Sequence, residues 1–473
     1  MLAISRAAPS DASRKGTGRG RLTTVAAGLA LSALACDAAR LDRVEGSSLR
    51  AGGGIPRCDE PRRAAPPDER PRYEMSIAVD PASRSVAGTS EVTFVADRAT
   101  RRLVFRLWPN GPRLSAQGAR LDVDRVRLDR PAAVDRPDPT TLVYELDARL
   151  AAGAAATATM RWRLEVPEGI LDRISQNGTA VRLGSFFPIL AWEGERGWAT
   201  DPPTTSLAES STSPAADFEV TISAPPELDV VATGAEASPG VWRARAVRDF
   251  AVAVADFDVV REVVDAPRPV RVTVGVVAGL DSSPREFAEA VERALVDLSR
   301  RYGAYAWRTF SMAVMPDLGS AGIEYPTMVF QGDDSLRNAT THEVAHSWFY
   351  ALVGNNQARD PWLDEGVTSW AQARSDGSMG FFRGYEVPDD ARGRLGARMR
   401  YWDAHESSYY GGAYVQGVQA LAALGTGRRV DCALARYVAE NAYDVATTDD
   451  LVDALDDDFP RAARVLRRYG ART

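Results

Sequence analysis

Met160, Trp162, Leu164 and Val166 are separated by Arg161, Arg163 and Glu165. Strict alternation of this kind dictates a pleated strand with one buried face and one wet face. The same period of two returns at Met75, Ile77 and Val79, and at Val92 and Phe94. It recurs at Phe218, Val220 and Ile222, just before the Pro225-Pro226 break. Half-buried strands belong to antiparallel sheets. They continue to about Asp265 without a long helical pattern, which predicts one N-terminal antiparallel β domain over residues 71–265.

After Arg268 the pattern changes. Val270, Val272 and Val274 form one more strand, and Ser283-Pro284-Arg285-Glu286 then opens a helix. Serine can accept from the first-turn amides, proline suits the first helical position, and Glu286 completes a capping box. Phe287, Val291, Leu295 and Leu298 follow at helical spacing, and helical patterns dominate from there on. Residues 266–473 are therefore expected to form a second, mainly helical domain, and the fold class is α+β and multidomain. With 45% apolar and 26% charged residues the chain is able to bury two cores. A formal net charge of −7 leaves no basic surface for nucleic acid.

Residues 1–36 read as a signal segment. Arg14, Lys15, Arg19 and Arg21 precede an apolar run from Leu22 to Ala35, too short to span a bilayer comfortably. Cys36 follows directly, as at the lipid-attachment site of bacterial lipoproteins, although Ala33 stands where that pattern prefers leucine. Two outcomes stay open: an ordinary cleavable signal, or a lipid anchor at Cys36. Either implies an exported protein, periplasmic, on the cell envelope or secreted. Residues 37–70, with Gly52-Gly53-Gly54 and Pro66-Pro67, read as a flexible spacer. Three cysteines, Cys36, Cys58 and Cys432, are too few for a disulfide framework.

The chemistry concentrates where two of the three histidines fall. Thr341-His342-Glu343-Val344-Ala345-His346 contains His-Glu-x-x-His. On a helix, residues i and i+4 share a face about 6 Å apart along the axis, so both imidazoles can reach one metal ion. Glu343 sits about 100° round the helix, over the open position of the metal, where it can serve as general base without being a ligand. A catalytic zinc takes a third protein ligand and keeps its fourth position for water. Trp362-Leu363-Asp364-Glu365-Gly366 supplies that ligand in Glu365, with Gly354, Asn355 and Asn356 placed to end the first helix.

Residues 342–365 resemble the gluzincin aminopeptidases, the aminopeptidase N and leukotriene hydrolase family. That family carries His-Glu-x-x-His, eighteen residues, then Glu within Trp-x-x-Glu-Gly. Ala321-Gly322-Ile323-Glu324-Tyr325 resembles its Gly-x-Met-Glu-Asn substrate motif, with Ala321, Ile323 and Tyr325 as departures. Tyr414-Val415-Gln416-Gly417 is similar to its Tyr-x-x-Gly string. Leu183-Gly184-Ser185-Phe186-Phe187-Pro188 and Ala216-Asp217-Phe218-Glu219-Val220 resemble strand segments of its β domain.

The resemblance implies a saddle- or sandwich-like β domain followed by a thermolysin-like zinc domain, with one Zn²⁺ per chain on His342, His346 and Glu365. It implies peptide or protein as substrate, with Glu324 binding the free α-amine and Gly322 as a second substrate-binding residue. Tyr414 is assigned to the oxyanion, with Tyr409 and Tyr410 as rivals. Glu193 is a candidate for a second amine contact from the β domain. About 110 residues follow Glu365, and the large C-terminal helical domain of longer members is not expected. The implied activity is removal of N-terminal residues. An endopeptidase or other hydrolase on the same zinc, or a non-catalytic envelope protein, are the alternatives.

Overall fold

The structure, a computed structural model, describes residue 58 and residues 62–206, 212–336 and 339–473. The signal segment, Cys36 and most of the expected spacer lie outside the described residues.

Strand Arg72–Asp80 buries Tyr73, Met75, Ile77 and Val79 and turns the residues between them outward. It runs through the middle of a seven-stranded sheet, antiparallel to Ser85–Val95 and parallel to Ala216–Ser223. The sheet is thus mixed where an antiparallel one was expected, because alternation reports burial and not strand direction. Ala155–Glu165 lies beyond Ser85–Val95 and carries Trp162 over Gly88, where a Cβ would overlap the indole. Two four-stranded sheets complete the β domain. Its longest helix among the described residues is the five-residue Pro112–Ala116.

The second unit is built on a five-stranded sheet, in the order Phe257–Asp265, Pro269–Val277, Thr309–Val314, Met328–Gln331, Gly322–Tyr325. Phe257–Asp265 pairs residue for residue with Pro269–Val277, so the break expected after Asp265 falls inside a hairpin. Periodicity identifies a strand but not the sheet it joins. Helix Pro284–Tyr302 buries Phe287, Val291, Leu295 and Leu298 as its spacing requires. Ser283 precedes it with extended backbone, but its side chain makes no capping bond. The capping box of this unit forms at Thr447 and Asp450 instead. Buried Asp431 ties three helices together, accepting from Tyr302 Oη at 3.2 Å and Trp370 Nε1 at 2.9 Å, with Arg301 and Arg374 completing its shell.

Cys58 and Cys432 form a disulfide across 374 residues of sequence. Ala64 N donates to Ala439 O at 2.8 Å, Arg63 bonds Ala304 O, and Arg70 pairs with Asp217 at 2.7 Å. Residues 62–70, expected to belong to a flexible spacer, are therefore fixed: the bridge and these bonds supply the contacts that their composition does not announce. Among the described residues no helix is long and apolar enough to cross a membrane.

Candidate metal centre

The first two donors stand on helix Thr340–Ala345, and His346 extends it with helical backbone (φ −58°, ψ −15°). His346 N donates to His342 O at 3.2 Å, and the two rings lie 4.7 Å apart. The chain then kinks at Phe349 and Tyr350, whose backbone is not helical. This turn comes earlier than the Gly354-Asn355-Asn356 stop that the sequence suggested, and Gly354–Asn355 instead pairs with Val445–Ala446.

Helix Pro361–Asp376 presents one face to this pair. Glu365 Oε2 lies 3.1 Å from His342 Nε2 and 3.6 Å from His346 Nε2. One position back, Asp364 Oδ1 lies 2.8 Å from His346 Nδ1, and Thr368 Oγ1 is 3.2 Å from the same nitrogen. One turn further on, Gln372 Oε1 lies 3.2 Å from His342 Nδ1. Residues 364, 365, 368 and 372 follow the helical repeat. Together they anchor both outer nitrogens and leave both Nε2 atoms facing Glu365. Such outer partners fix ring orientation and raise ligand basicity. Gln372 escaped the sequence reading, although its spacing of seven from Glu365 is the signal that places it on the same face.

The electrostatics of the cluster call for a cation. His346, Glu343, Asp364, Glu365 and Glu324 are all buried. Burial raises the Glu343 carboxyl well above its usual range, and the charges acting most on it are His346, Glu324, Glu365 and Asp364, three of the four negative. Burial likewise raises Glu365 to about 8. The His342 imidazole is pushed down to about 3 by burial and by His346. Burial lowers His346 too, but Asp364 and Glu324 more than reverse it. Glu343 Oε2 is buried with no hydrogen-bond partner. Two imidazoles, a carboxylate and an adjacent orphaned carboxylate oxygen fit a divalent metal of the zinc type. His342, His346 and Glu365 form a group whose ligand atoms lie within 4.8 Å of one another.

Two motif glycines bring the remaining groups in. A Cβ on Gly417 would stand 2.6 Å from the Gly366 Cα, and a Cβ on Gly366 would stand 2.7 Å from Ala413 O. The helix that follows Tyr414 therefore crosses the Glu365 helix at backbone contact. Tyr414 is delivered onto His342, stacked at 5.8 Å, and hydrogen-bonds Glu365. Of its rivals, Tyr409 is buried between Trp402 and Tyr414, and Tyr410 packs on Tyr414 from the outside. Gly322 lies against Glu343 so closely that any Cβ would overlap its carboxylate. Glu324, two residues on, groups with His346 and Asp364 within 4.8 Å. Tyr325 points the other way, its Oη 3.2 Å from Arg173 and packed on Gly184. Glu193 is not at this centre: it bonds Asn356 and pairs with Arg359 at 3.0 Å, in a junction between the two units. His405 stacks on Tyr401 and its Nδ1 lies 2.9 Å from Tyr401 O, a packing role.

No family model matches the chain. Over 122 residues it is 32% identical to human aminopeptidase B, covering 24% of this chain and 19% of that one. Over 107 residues it is 34% identical to leukotriene A-4 hydrolase of Xenopus laevis, covering 21% and 17%. The matched segments thus span under a fifth of these relatives' length. The fold is shared more widely. The M1 zinc metallopeptidase of Deinococcus radiodurans superposes with a TM-score of 0.60 at 18% identity, over 85% of this chain and 94% of that one. A variant of it bound to a Tyr-Ser-Ala substrate superposes equally well at 19% identity. By sequence the likeness to these relatives is local, and across both units the M1 zinc metallopeptidases share the fold. Those neighbours are zinc metallopeptidases, and in this chain His342, His346 and Glu365 form a group able to hold a metal ion.

Removing an outer partner of a metal-bound histidine costs about 10- to 100-fold in affinity. Gln372→Ala is therefore expected to weaken zinc binding by about that factor in a chelator competition. A change below about 2-fold would show that Gln372 does not orient His342.

Proposed function

We propose that this chain is an exported zinc aminopeptidase on a thermolysin-like catalytic domain, cleaving peptides after their first residue. The observation that carries the reading is the buried Glu343 carboxylate, held against Gly322 with Oε2 unpartnered beside the His342–His346–Glu365 group. An acid–base residue must keep a free oxygen for the proton it moves, and the orphaned Oε2 meets that need. Zinc, when bound by those three residues, activates water and polarises a carbonyl.

The chain's own groups supply the rest. Glu343 takes the proton of the attacking water and returns it to the leaving amine. Tyr414 offers its hydroxyl to the developing oxyanion. Glu324, buried one imidazole away, accepts the substrate's ammonium group in a charge-assisted hydrogen bond, which sets the first peptide carbonyl at the centre. Peptide binding is supported by the peptide-bound state of the Deinococcus radiodurans relative.

Export is supported by the basic head and apolar run before Cys36, and by the Cys58–Cys432 bridge, a bond that persists in oxidising compartments. Mass spectrometry of the mature protein from its native host is expected to find an N-terminus at or near Cys36. Intact Met1 material in the cytosol would contradict export.

The amine anchor makes a sharper claim. Glu324→Ala is expected to keep zinc while lowering kcat/KM for free-amine peptides by about 10²-fold, a loss of positioning. N-acetylation of the peptide should cost wild type a similar factor and the variant little more, since both changes remove one interaction. If wild type cleaves acetylated and free peptides equally fast, Glu324 is no amine anchor and the endopeptidase reading takes its place.

A further inference from the structure

A row of aromatic rings runs from the metal centre to the surface. Tyr414 stacks on His342 at 5.8 Å. Tyr410 lies 5.2 Å from Tyr414, Tyr385 lies 5.9 Å from Tyr410, and Phe381 lies 5.9 Å from Tyr385. The row is built from two short segments. Tyr410 and Tyr414 are four residues apart on the turn Tyr410–Val415, so they share one face. Phe381 belongs to helix Met379–Gly384, and Tyr385 follows directly after it. Gly411 has no side chain to hold Tyr385 and Pro388 away from that turn.

The row ends at the surface. Tyr414, Tyr410 and Tyr385 are half-buried, and Phe381 is 42% exposed, one of three large apolar side chains on the surface among the described residues. The other two, Val134 and Val263, lie on strands far from this row in sequence. An exposed apolar track continuous with a buried reactive centre is the form of a ligand groove.

The position of the row says which part of a ligand it meets. Glu324 groups with His346 and Asp364, whereas Tyr414 stacks on His342, so the amine anchor and the row flank different imidazoles. A peptide with its amine at Glu324 and its first carbonyl at the centre continues past His342 along the rings. We propose that the Tyr410–Tyr385–Phe381 row is a binding track for the residues after the cleaved bond, selecting peptides with bulky apolar or aromatic side chains there. This rests on the reading of Glu324 as the amine anchor. Ring faces and edges take such side chains by stacking and apolar burial, and the three rings carry no positive charge to pair with a carboxylate.

The test reads binding, so that turnover is judged apart. Zinc-loaded Glu343→Gln protein is titrated calorimetrically with free-amine tetrapeptides beginning with Ala and carrying Phe, Leu, Ser or Asp at the next three positions. Phe and Leu peptides are expected to bind about 10-fold or more tighter than the Ser peptide. Adding Phe381→Ala or Tyr385→Ala should reduce that ratio to about 2 or 3. Phe381 is exposed enough to carry this arm if Tyr385→Ala fails to fold. Equal affinities for all four peptides, tighter binding of the Asp peptide, or an unchanged ratio in both variants would overturn the proposal. Discrimination in binding, combined with no hydrolysis of any of these peptides by the unsubstituted enzyme, would leave the track standing and sink the aminopeptidase reading instead.

Discussion

Four carboxylates and two imidazoles share one buried space, and the rest of the second unit is arranged around that charge. Glu324, Glu343, Asp364 and Glu365 are nearly sealed from water, and an uncompensated buried carboxylate costs several kcal/mol in stability. The chain has one lysine, Lys15, which lies far outside the site in sequence. Compensation comes from His346 in part and, by the chemistry of the donors, from a divalent cation. The same crowding sets the geometry: two imidazoles and one carboxylate converge, another carboxylate keeps a free oxygen, and Glu324 lies beside His346 and Asp364.

Holding that arrangement takes backbone contact and a second domain. Gly366 and Gly417 let two helices touch, which is what carries Tyr414 to Glu365. From the β domain, buried Arg248 reaches across to Ala351 O, Leu352 O and Asp444 O, at 3.2, 3.1 and 2.7 Å. The Ala351 and Leu352 carbonyls end the segment that bears both histidines, and Asp444 stands just before the Val445–Ala446 strand that pairs with Gly354–Asn355. Glu193 and Asp201 together engage Arg359 and Asn356, just ahead of the Glu365 helix. Each donor element is therefore braced from the β domain as well as from its own core, and small displacements at such a centre are expensive for catalysis.

Much of this was legible in the residues. His342 and His346 could be placed because helical spacing converts sequence separation directly into geometry, Glu365 because its Trp-x-x-Glu-Gly string stands at the distance from them that the family resemblance implies, and the strands because alternation converts into faces. What escaped depends on contacts between distant segments. The Cys58–Cys432 bridge and the Arg248 clamp join residues that no local pattern relates. Gly366 and Gly417 each belonged to a readable motif, yet only the fold shows that they touch one another. Ser283 had the right neighbours for a cap and makes no such bond. The strand Phe257–Asp265 was recognised but assigned to the wrong side of a boundary, because a hairpin partner is invisible to periodicity. Gln372 lay one heptad from Glu365 and was overlooked for lack of any chemical signature of its own.

The central claim is that three residues hold a metal while a fourth, beside them, only moves protons. Elemental analysis after zinc loading and dialysis, set beside peptide turnover on the same samples, tests it most directly. The account predicts about one zinc per chain in wild type and in Glu343→Gln, with turnover in that variant reduced at least about 10²-fold, and little zinc in His346→Ala. A wild-type protein that retains no zinc, or a Glu343→Gln variant as active as wild type, would contradict it.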